Sequence, residues 1–375
     1  MDLTAIPVVD QHAHNILRPD ELTPIDYVAA FTEARDDEAA NDHVRGTLFF
    51  RRSLRDIAQF LGCEPDLEAV LAERARVGFE EVARRFIAAA HVEALLLDDG
   101  FLAGRILPVA WHGRFARAYR LLRVERLAEE LVEGGAPTWP EFAQRFQDAL
   151  ANPPSEVVGL KTIVAYRTGL ALDETDVEAA RACFEGLRQQ ALDGRPVRLA
   201  CKPLNDWVVW TALETAARTG MPVQFHTGFG DPDLDLRLAN PLHLRPALET
   251  PALHRVRVVL LHASYPFTRE AGYLASVYAN VFVDFGLAVP SSSVSGMRST
   301  IRALLELAPV SKVLFATDAH VIPELFYLGA HWGRLVLGAE LEQAVRDGDL
   351  TAHEADRAAE DILRGNALRL YGLPA

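Results

Sequence analysis

The chain has 375 residues, half of them hydrophobic and 24% charged, a balance that excludes wholesale disorder. With 38 Lys+Arg against 52 Asp+Glu and a formal net charge of -14, it is unsuited to nucleic acid or an anionic membrane surface, both of which need clustered Lys/Arg. The length fits two or three ordinary domains or a single α/β barrel, so it bounds the architecture only softly.

The N-terminal stretch, from Met1 to Pro7, has neither a basic region nor an apolar run typical of an export signal, which makes a cytoplasmic protein the expectation. A first short apolar run, Ile6–Val9, is followed by a long stretch without strand character. Residues 18–90 carry helical patterns instead, at Arg51–Leu61, Asp66–Ala75 and Phe79–Ala90, and are expected to form an insertion over the active-site face. Further runs follow at Ala94–Leu97, weakly at Ala118–Val124, and at Val157–Val164, with a second helical stretch from Arg126 to Leu150. The remaining runs are Val223–Phe225, Val256–Leu261, Val281–Val283 and Val313–Phe315. Each is short and nearly continuous, the pattern of a strand buried on both faces.

Between these runs the apolar residues recur with helical spacing. Val209, Leu213, Ala216 and Ala217 share one face, with Asn205 or Asp206 as candidate cap and Gly220 as stop. Phe267, Ala271, Leu274, Ala275 and Tyr278 share another, with Pro266 suited to the first turn. Strand and helix alternating about eight times predict an α/β fold, a single (β/α)8 TIM-like barrel over residues 1–375 with helical insertions after strands 1 and 3, both placed to roof the active site. An open doubly wound sheet has the same alternation, but no glycine-rich phosphate loop follows any strand. No apolar run approaches the ~20 residues that span a bilayer. Cys63, Cys183 and Cys201 are odd in number and lack a CxxC pair, so a disulfide framework is not expected.

In such a barrel the chemistry sits at the C-terminal ends of the strands. The first run leads into Asp10-Gln11-His12-Ala13-His14, where two imidazoles at i and i+2 can reach one metal ion. The fifth run closes on His226, the sixth on His262 and the last on Asp318, so four histidines and an aspartate are expected to converge at the barrel mouth. Lys161, near the end of the fourth run, is open to three readings: an exposed strand-end lysine, a substrate-binding cation, or an amine that reacts with CO2 to give a carbamate bridging two divalent ions. Imidazole and carboxylate ligands favour Zn2+, two per chain if Lys161 is carboxylated, although Mn2+, Fe2+ and Co2+ accept similar shells.

The series His12-Ala13-His14, Lys161, His226, His262 and Asp318 resembles the ligand order of the amidohydrolase superfamily of barrel metalloenzymes. Finer stretches are similar to its amidohydrolase-2 branch, in particular to the barrel domain fused to glutamine-synthetase-like domains in nodulin-type proteins. These are Leu95–Gly100, Leu122–Glu125, Gly159–Leu170, Leu261–Pro266 and Thr317–His320 with Pro323-Glu324, and together they cover nearly the whole chain. The resemblance implies a metal-dependent hydrolase that cleaves a C–N bond, amide or γ-glutamyl-type, by metal-activated hydroxide. Asp318 would then be both a metal ligand and the catalytic proton shuttle.

Arg123, Tyr166 and Arg167 at strand ends, Trp111 and His112 in the loop before the third strand, and Tyr265 after a ligand histidine are the candidate substrate contacts. An arginine fork suits a carboxylate, so a carboxylate-bearing small molecule is expected, unless these arginines pair with Asp98, Asp99 or Glu125. A homo-oligomer is compatible with the composition. The alternatives are a mononuclear decarboxylase or sugar-acid isomerase of the same superfamily, whose members lack the lysine ligand, and a non-catalytic binding barrel.

Overall fold

The computed structural model describes every residue except 136, 175 and 375. Eight strands form one sheet in sequential order, every neighbouring pair parallel: β1 Val8–Ala13, β2 Val92–Asp98, β3 Arg117–Arg123, β4 Val157–Thr162, β5 Val223–Phe225, β6 Val258–Leu260, β7 Val281–Asp284 and β8 Val313–Leu314. Closure comes from the chain just beyond β8. Gln11 N–H donates to the Phe315 carbonyl at 3.2 Å, and Asp318 N–H donates to the His12 carbonyl at 3.0 Å. The result is a (β/α)8 barrel.

β1 runs four residues further than its apolar run, through Asp10, Gln11 and His12, all fully buried. They remain in the strand because each finds a polar partner inside. Asp10 accepts from Thr317 N–H at 2.9 Å and from its hydroxyl, and Gln11 Nε2 donates to Asp284 at 2.6 Å. The floor of the barrel is filled by the C-terminal helix Asn366–Tyr371, which packs Ala367, Leu368 and Leu370 against Val9, Leu96, Leu121 and Val259. Tyr371 reaches up from it to Gln11 and Gln224, both at 2.7 Å.

Helix boundaries differ from expectation in two places. Helix Lys202–Thr219 starts a turn early, with Pro203 in its first turn, so Asn205 and Asp206 lie inside it and neither caps it; Gly220 does stop it, at φ 77°. Pro266 lies ahead of helix Thr268–Val277 rather than in its first turn. The structure also pairs Cys183 with Cys201 in a disulfide, Cα atoms 6.0 Å apart. That corrects the reading of unconnected cysteines: the chain returns after helix Val177–Leu192 to start helix Lys202–Thr219 beside it, and the 18-residue separation becomes a short distance in space.

The stretch 18–90 divides in two. Helix Phe79–Ala90 joins the outer ring beside helix Glu324–Asp347, with Phe86 against Tyr327. The part before it lies over the C-terminal mouth of the barrel. Buried Glu324 holds it there through a charge pair with Arg74, whose guanidinium also lies 4.6 Å from the Tyr27 ring centroid. Breaking a buried pair strands the remaining charge. Arg74→Met is therefore expected to destabilise the fold by ~3–5 kcal/mol in equilibrium denaturation; an unchanged midpoint would show that the insertion is held by apolar packing alone. The second helical stretch, now helices Val124–Glu133 and Trp139–Ala151, follows β3 as expected, but contributes no residue to the cavity at the mouth. Roofing falls to the first insertion. Among the described residues no helix is long and apolar enough to cross a membrane.

Candidate metal centre

The strand register brings Arg123, Lys161 and Gln224 side by side on β3, β4 and β5. Lys161 is almost fully buried, and its Nζ lies 3.4 Å from His12 Nε2. Burial lowers its ammonium to about 8, opposed by the negative charge of Asp98 and Asp318.

His12 in β1 and His14 just beyond it each have Nδ1 tied by a hydrogen bond. Gln224 donates its amide nitrogen to the Gln11 carbonyl at 2.7 Å, which turns its oxygen towards His12; His12 Nδ1 therefore donates to Gln224 Oε1 at 2.8 Å. His14 Nδ1 donates to the Asp98 carbonyl at 2.9 Å. The Nε2 atoms of both rings face the same carboxylate oxygen, Asp318 Oδ1, at 3.1 and 3.4 Å. Burial first, then the nearby Lys161 charge, hold His12 down to about 4, which keeps it neutral.

Asp318 is aimed by its backbone as well as its neighbours. It occupies the left-handed region at φ 55°, held by its own N–H on the His12 carbonyl and by the Asp10–Thr317 bonds next to it. Its Oδ1 is buried without a hydrogen bond. His262 sits on a turn of three left-handed residues, φ 63°, 52° and 48°, with its N–H donating to Asp284 at 2.6 Å. Its Nδ1 is also unpartnered, 4.0 Å from Asp318 Oδ2. Gly228 makes this turn fit, since a Cβ there would lie 2.4 Å from Ser264 and Tyr265 backbone atoms. His226 stacks 4.5 Å from His262 and donates Nε2–H to the Phe229 carbonyl at 3.1 Å, leaving Nδ1 as its free lone pair. Burial lowers the pKa of both rings, so they too are neutral.

Lone pairs and a carboxylate oxygen converging in a buried space repel unless a cation lies among them. The ligand atoms of His12, His14 and Asp318 lie within 4.8 Å of one another, a spacing that one divalent ion can span. Neutral imidazoles and an ionised carboxyl are the protonation states that ligation requires. The donor set fits a divalent metal.

Above this base is a cavity of about 380 Å³, lined by His14, Lys161, His226, His262 and Asp318 below. Tyr166, Arg123 and Arg167 form part of its wall. Tyr166 packs 4.4 Å from the His226 ring, in space that a Cβ at Gly230 would fill. Arg123 is committed to Asp98, with Nη2 at 2.7 Å and Nε at 3.1 Å from both oxygens. Against the cost of burial, that guanidinium holds the Asp98 carboxyl well below its usual range. Arg167 is less occupied. It reaches Glu129 through Nη2 at 3.3 Å, while its Nε is buried without a partner.

Three expected substrate contacts lie elsewhere. His112 is buried behind the cavity, donating Nδ1–H to the Pro108 carbonyl at 3.1 Å and accepting from Ile16 N–H at 3.2 Å. Trp111, in the short helix Val109–His112, packs on Phe79 and Phe115 and donates to Glu80 at 3.2 Å. Tyr265 is 41% exposed and packs on Phe229, outside the cavity lining. Sequence proximity to a strand end placed them near the mouth, but their side chains turn away from it.

The sequence reading missed Glu33 and Arg35 from the insertion, and Arg198 and Asp231 from later loops, all of which line the cavity. Arg35 bridges to Asp231 at 2.5 Å and to Asp233 at 3.0 Å, and Arg198 meets Asp233 at 3.1 Å, joining the roof to the loop after β5. The Glu33 carboxyl has no hydrogen bond or ion pair among the described residues; burial, with Asp318 and Asp231 near, pushes it up to about 8. No local signal marked these residues, because they flank no apolar run.

Comparison with known proteins agrees with this geometry. The amidohydrolase family model matches residues 139–373. The chain is 34% identical to protein fluG of Emericella nidulans across 98% of its own length, and spans 46% of that relative. A Lactobacillus casei protein assigned as a metal-dependent hydrolase superposes with a TM-score of 0.86 at 29% identity, over 99% of this chain and 97% of the other. Uronate isomerase of Thermotoga maritima has the same fold, with a TM-score of 0.66 at 14% identity over 98% and 95% of the two chains. The family model matches more than half of the chain and the likeness to protein fluG runs along nearly all of it, so the chain belongs to the amidohydrolase family.

Proposed function

We propose that the protein is a metal-dependent hydrolase that cleaves a C–N bond, amide or γ-glutamyl-type, in a small carboxylate-bearing molecule. The observation that carries this reading is the convergence of bare imidazole nitrogens on Asp318 with Lys161 alongside, at the base of a cavity large enough for such a substrate. His12, His14, Lys161, His226, His262 and Asp318 would hold the metal, Zn2+ being favoured by the imidazole-rich set. When bound, a divalent ion supplies water ionised near neutral pH and a polarised carbonyl. Lys161 joins the set as a carbamate: its amine lone pair adds to CO2 and a proton is lost, giving a two-oxygen anionic head that suits two ions.

Asp318 takes the proton of the attacking water on its carboxylate and returns it to the leaving nitrogen. With Oδ1 turned to the His12 and His14 nitrogens, Oδ2 is the oxygen left for the proton. Arg167 anchors the substrate carboxylate with the guanidinium edge that Glu129 leaves unused. Arg123 is a positioning residue, fixing Asp98, whose carbonyl orients His14.

The test is amine release from a panel of N-acyl and γ-glutamyl amides by metal-replete and chelator-stripped protein. Hydrolysis confined to the replete sample supports the reading. Decarboxylation of an aromatic acid or isomerisation of a sugar acid, with one metal per chain, would replace it. Arg167→Ala is expected to raise KM ~10- to 100-fold for carboxylate-bearing amides and little for neutral ones. A uniform loss of stability instead would make Arg167 structural.

A further inference from the structure

The cavity has a second chamber, and the two meet at the reacting group. A space of about 240 Å³ adjoins the first, sharing Thr32, Glu33, Leu287, Asp318 and His320 with it. Their far walls differ in chemistry. The first chamber carries Arg123, Arg167 and Arg198. The second is walled by Phe31, Phe49, Phe229, Pro290 and Leu325.

This apolar chamber is a built structure. Phe31 stands edge-on to Phe50 and 5.6 Å from Phe49, which fixes the roof segment against helix Leu48–Leu61. Arg52 of that helix, buried, donates to the Pro290 carbonyl at 2.5 Å and to the Ser292 carbonyl at 3.2 Å, tying the helix to the loop after β7. Phe229 comes from the loop after β5, where its N–H donates to the Tyr265 carbonyl at 2.7 Å. Three separate connections are thus held together around one apolar space beside Asp318.

We propose that this chamber receives the amine half of the substrate, and that the enzyme prefers amides whose leaving amine carries a bulky apolar, aromatic or branched aliphatic group. This deepens the C–N hydrolysis reading and rests on it. The scissile bond must lie at Asp318, which is where the chambers join, so a substrate spanning it places one half in each. A carboxylate-bearing acyl half is matched by the free guanidinium edge of Arg167 in the first chamber, and the other half then meets the phenylalanines. That half contains the leaving nitrogen, and Asp318 borders its chamber. Hydrolysis adds water across the C–N bond: the acyl carbon keeps the hydroxyl oxygen, and the nitrogen leaves with the electron pair and takes the proton from Asp318.

Two measurements on the metal-replete full chain test this. Amine release is compared for amides sharing one carboxylate-bearing acyl group, with benzylamine, ethanolamine or ammonia as leaving group. Binding of free benzylamine and ethanolamine is measured by calorimetry, without any turnover. Wild type is expected to favour the benzyl compound ~10- to 100-fold in both, from burial of its ring. Ser291 also lines this chamber, so Ser291→Trp, which fills it, is expected to abolish that preference while leaving the primary amide cleaved; Phe49→Ala, which enlarges it, should extend the preference to larger amines. Benzylamine preference in binding without hydrolysis of any amide would overturn the C–N reading but keep the chamber. Hydrolysis with no benzyl preference, or a preference untouched by Ser291→Trp, would overturn the chamber's assignment and leave the C–N reading standing.

Discussion

Asp318→Asn is expected to retain at least one metal per chain and to lose ~10²- to 10⁴-fold in kcat, the usual contribution of a positioned acid–base group. An amide keeps an oxygen that can ligate but cannot take up a proton at neutral pH. The variant therefore separates the two duties assigned to this side chain. The surroundings should tolerate it. Asp318 is held by its backbone, through its N–H on the His12 carbonyl and the neighbouring Thr317–Asp10 bonds, so the exchange leaves the left-handed turn in place. The check is metal content by elemental analysis together with turnover of an amide substrate. Undiminished kcat at full metal content would remove Asp318 from the proton path.

Lys161→Met is expected to reduce the metal content from two ions per chain to one and to lower activity by at least ~10²-fold, comparable to losing a ligand's orienting partner or more. The side chain is almost fully buried, with its Nζ 3.4 Å from His12 Nε2, and methionine preserves its length and apolar stem. In the metal-free protein the stability change should be small, because there the exchange removes a buried ammonium and relieves its desolvation. Two ions bound by Lys161→Met would mean that no carbamate bridges them. One ion in wild type would point instead to the mononuclear relatives and their decarboxylase or isomerase chemistry.

How much of this was legible beforehand depended on whether the signal was local. Strands buried on both faces announce themselves as continuous apolar runs, so β2 and β4 to β8 were readable, and even the short β5 was found as Val223–Phe225. The apolar run of β1 stops at Val9 while the strand continues to Ala13, because hydrogen bonds to Thr317, Asp284 and Gln224 make Asp10, Gln11 and His12 interior residues. The histidines, Lys161 and Asp318 were legible because each closes or lies within such a run, and the barrel converts those ends into one location. Trp111, His112 and Tyr265 lie near strand ends too, yet which way a loop side chain turns is set by neighbours such as Phe79, Pro108 and Phe229. Glu33 and Arg198 show the converse, reaching the cavity from segments without any periodic signal.

The sequence by itself determined the architecture and the chemical inventory: eight buried strands, ligand-type residues at their ends, and an acidic chain with a formal net charge of -14. These follow from short-range patterns, since burial on two faces dictates apolar runs and parallel pairing dictates helical connections. Only the tertiary structure decided which nitrogens are bare, that Arg123 is committed to Asp98 while Arg167 keeps a free edge, that Cys183 meets Cys201, and that two unlike chambers meet at Asp318. Each of those depends on contacts between residues tens to hundreds of positions apart, and such contacts exist only once the barrel has closed.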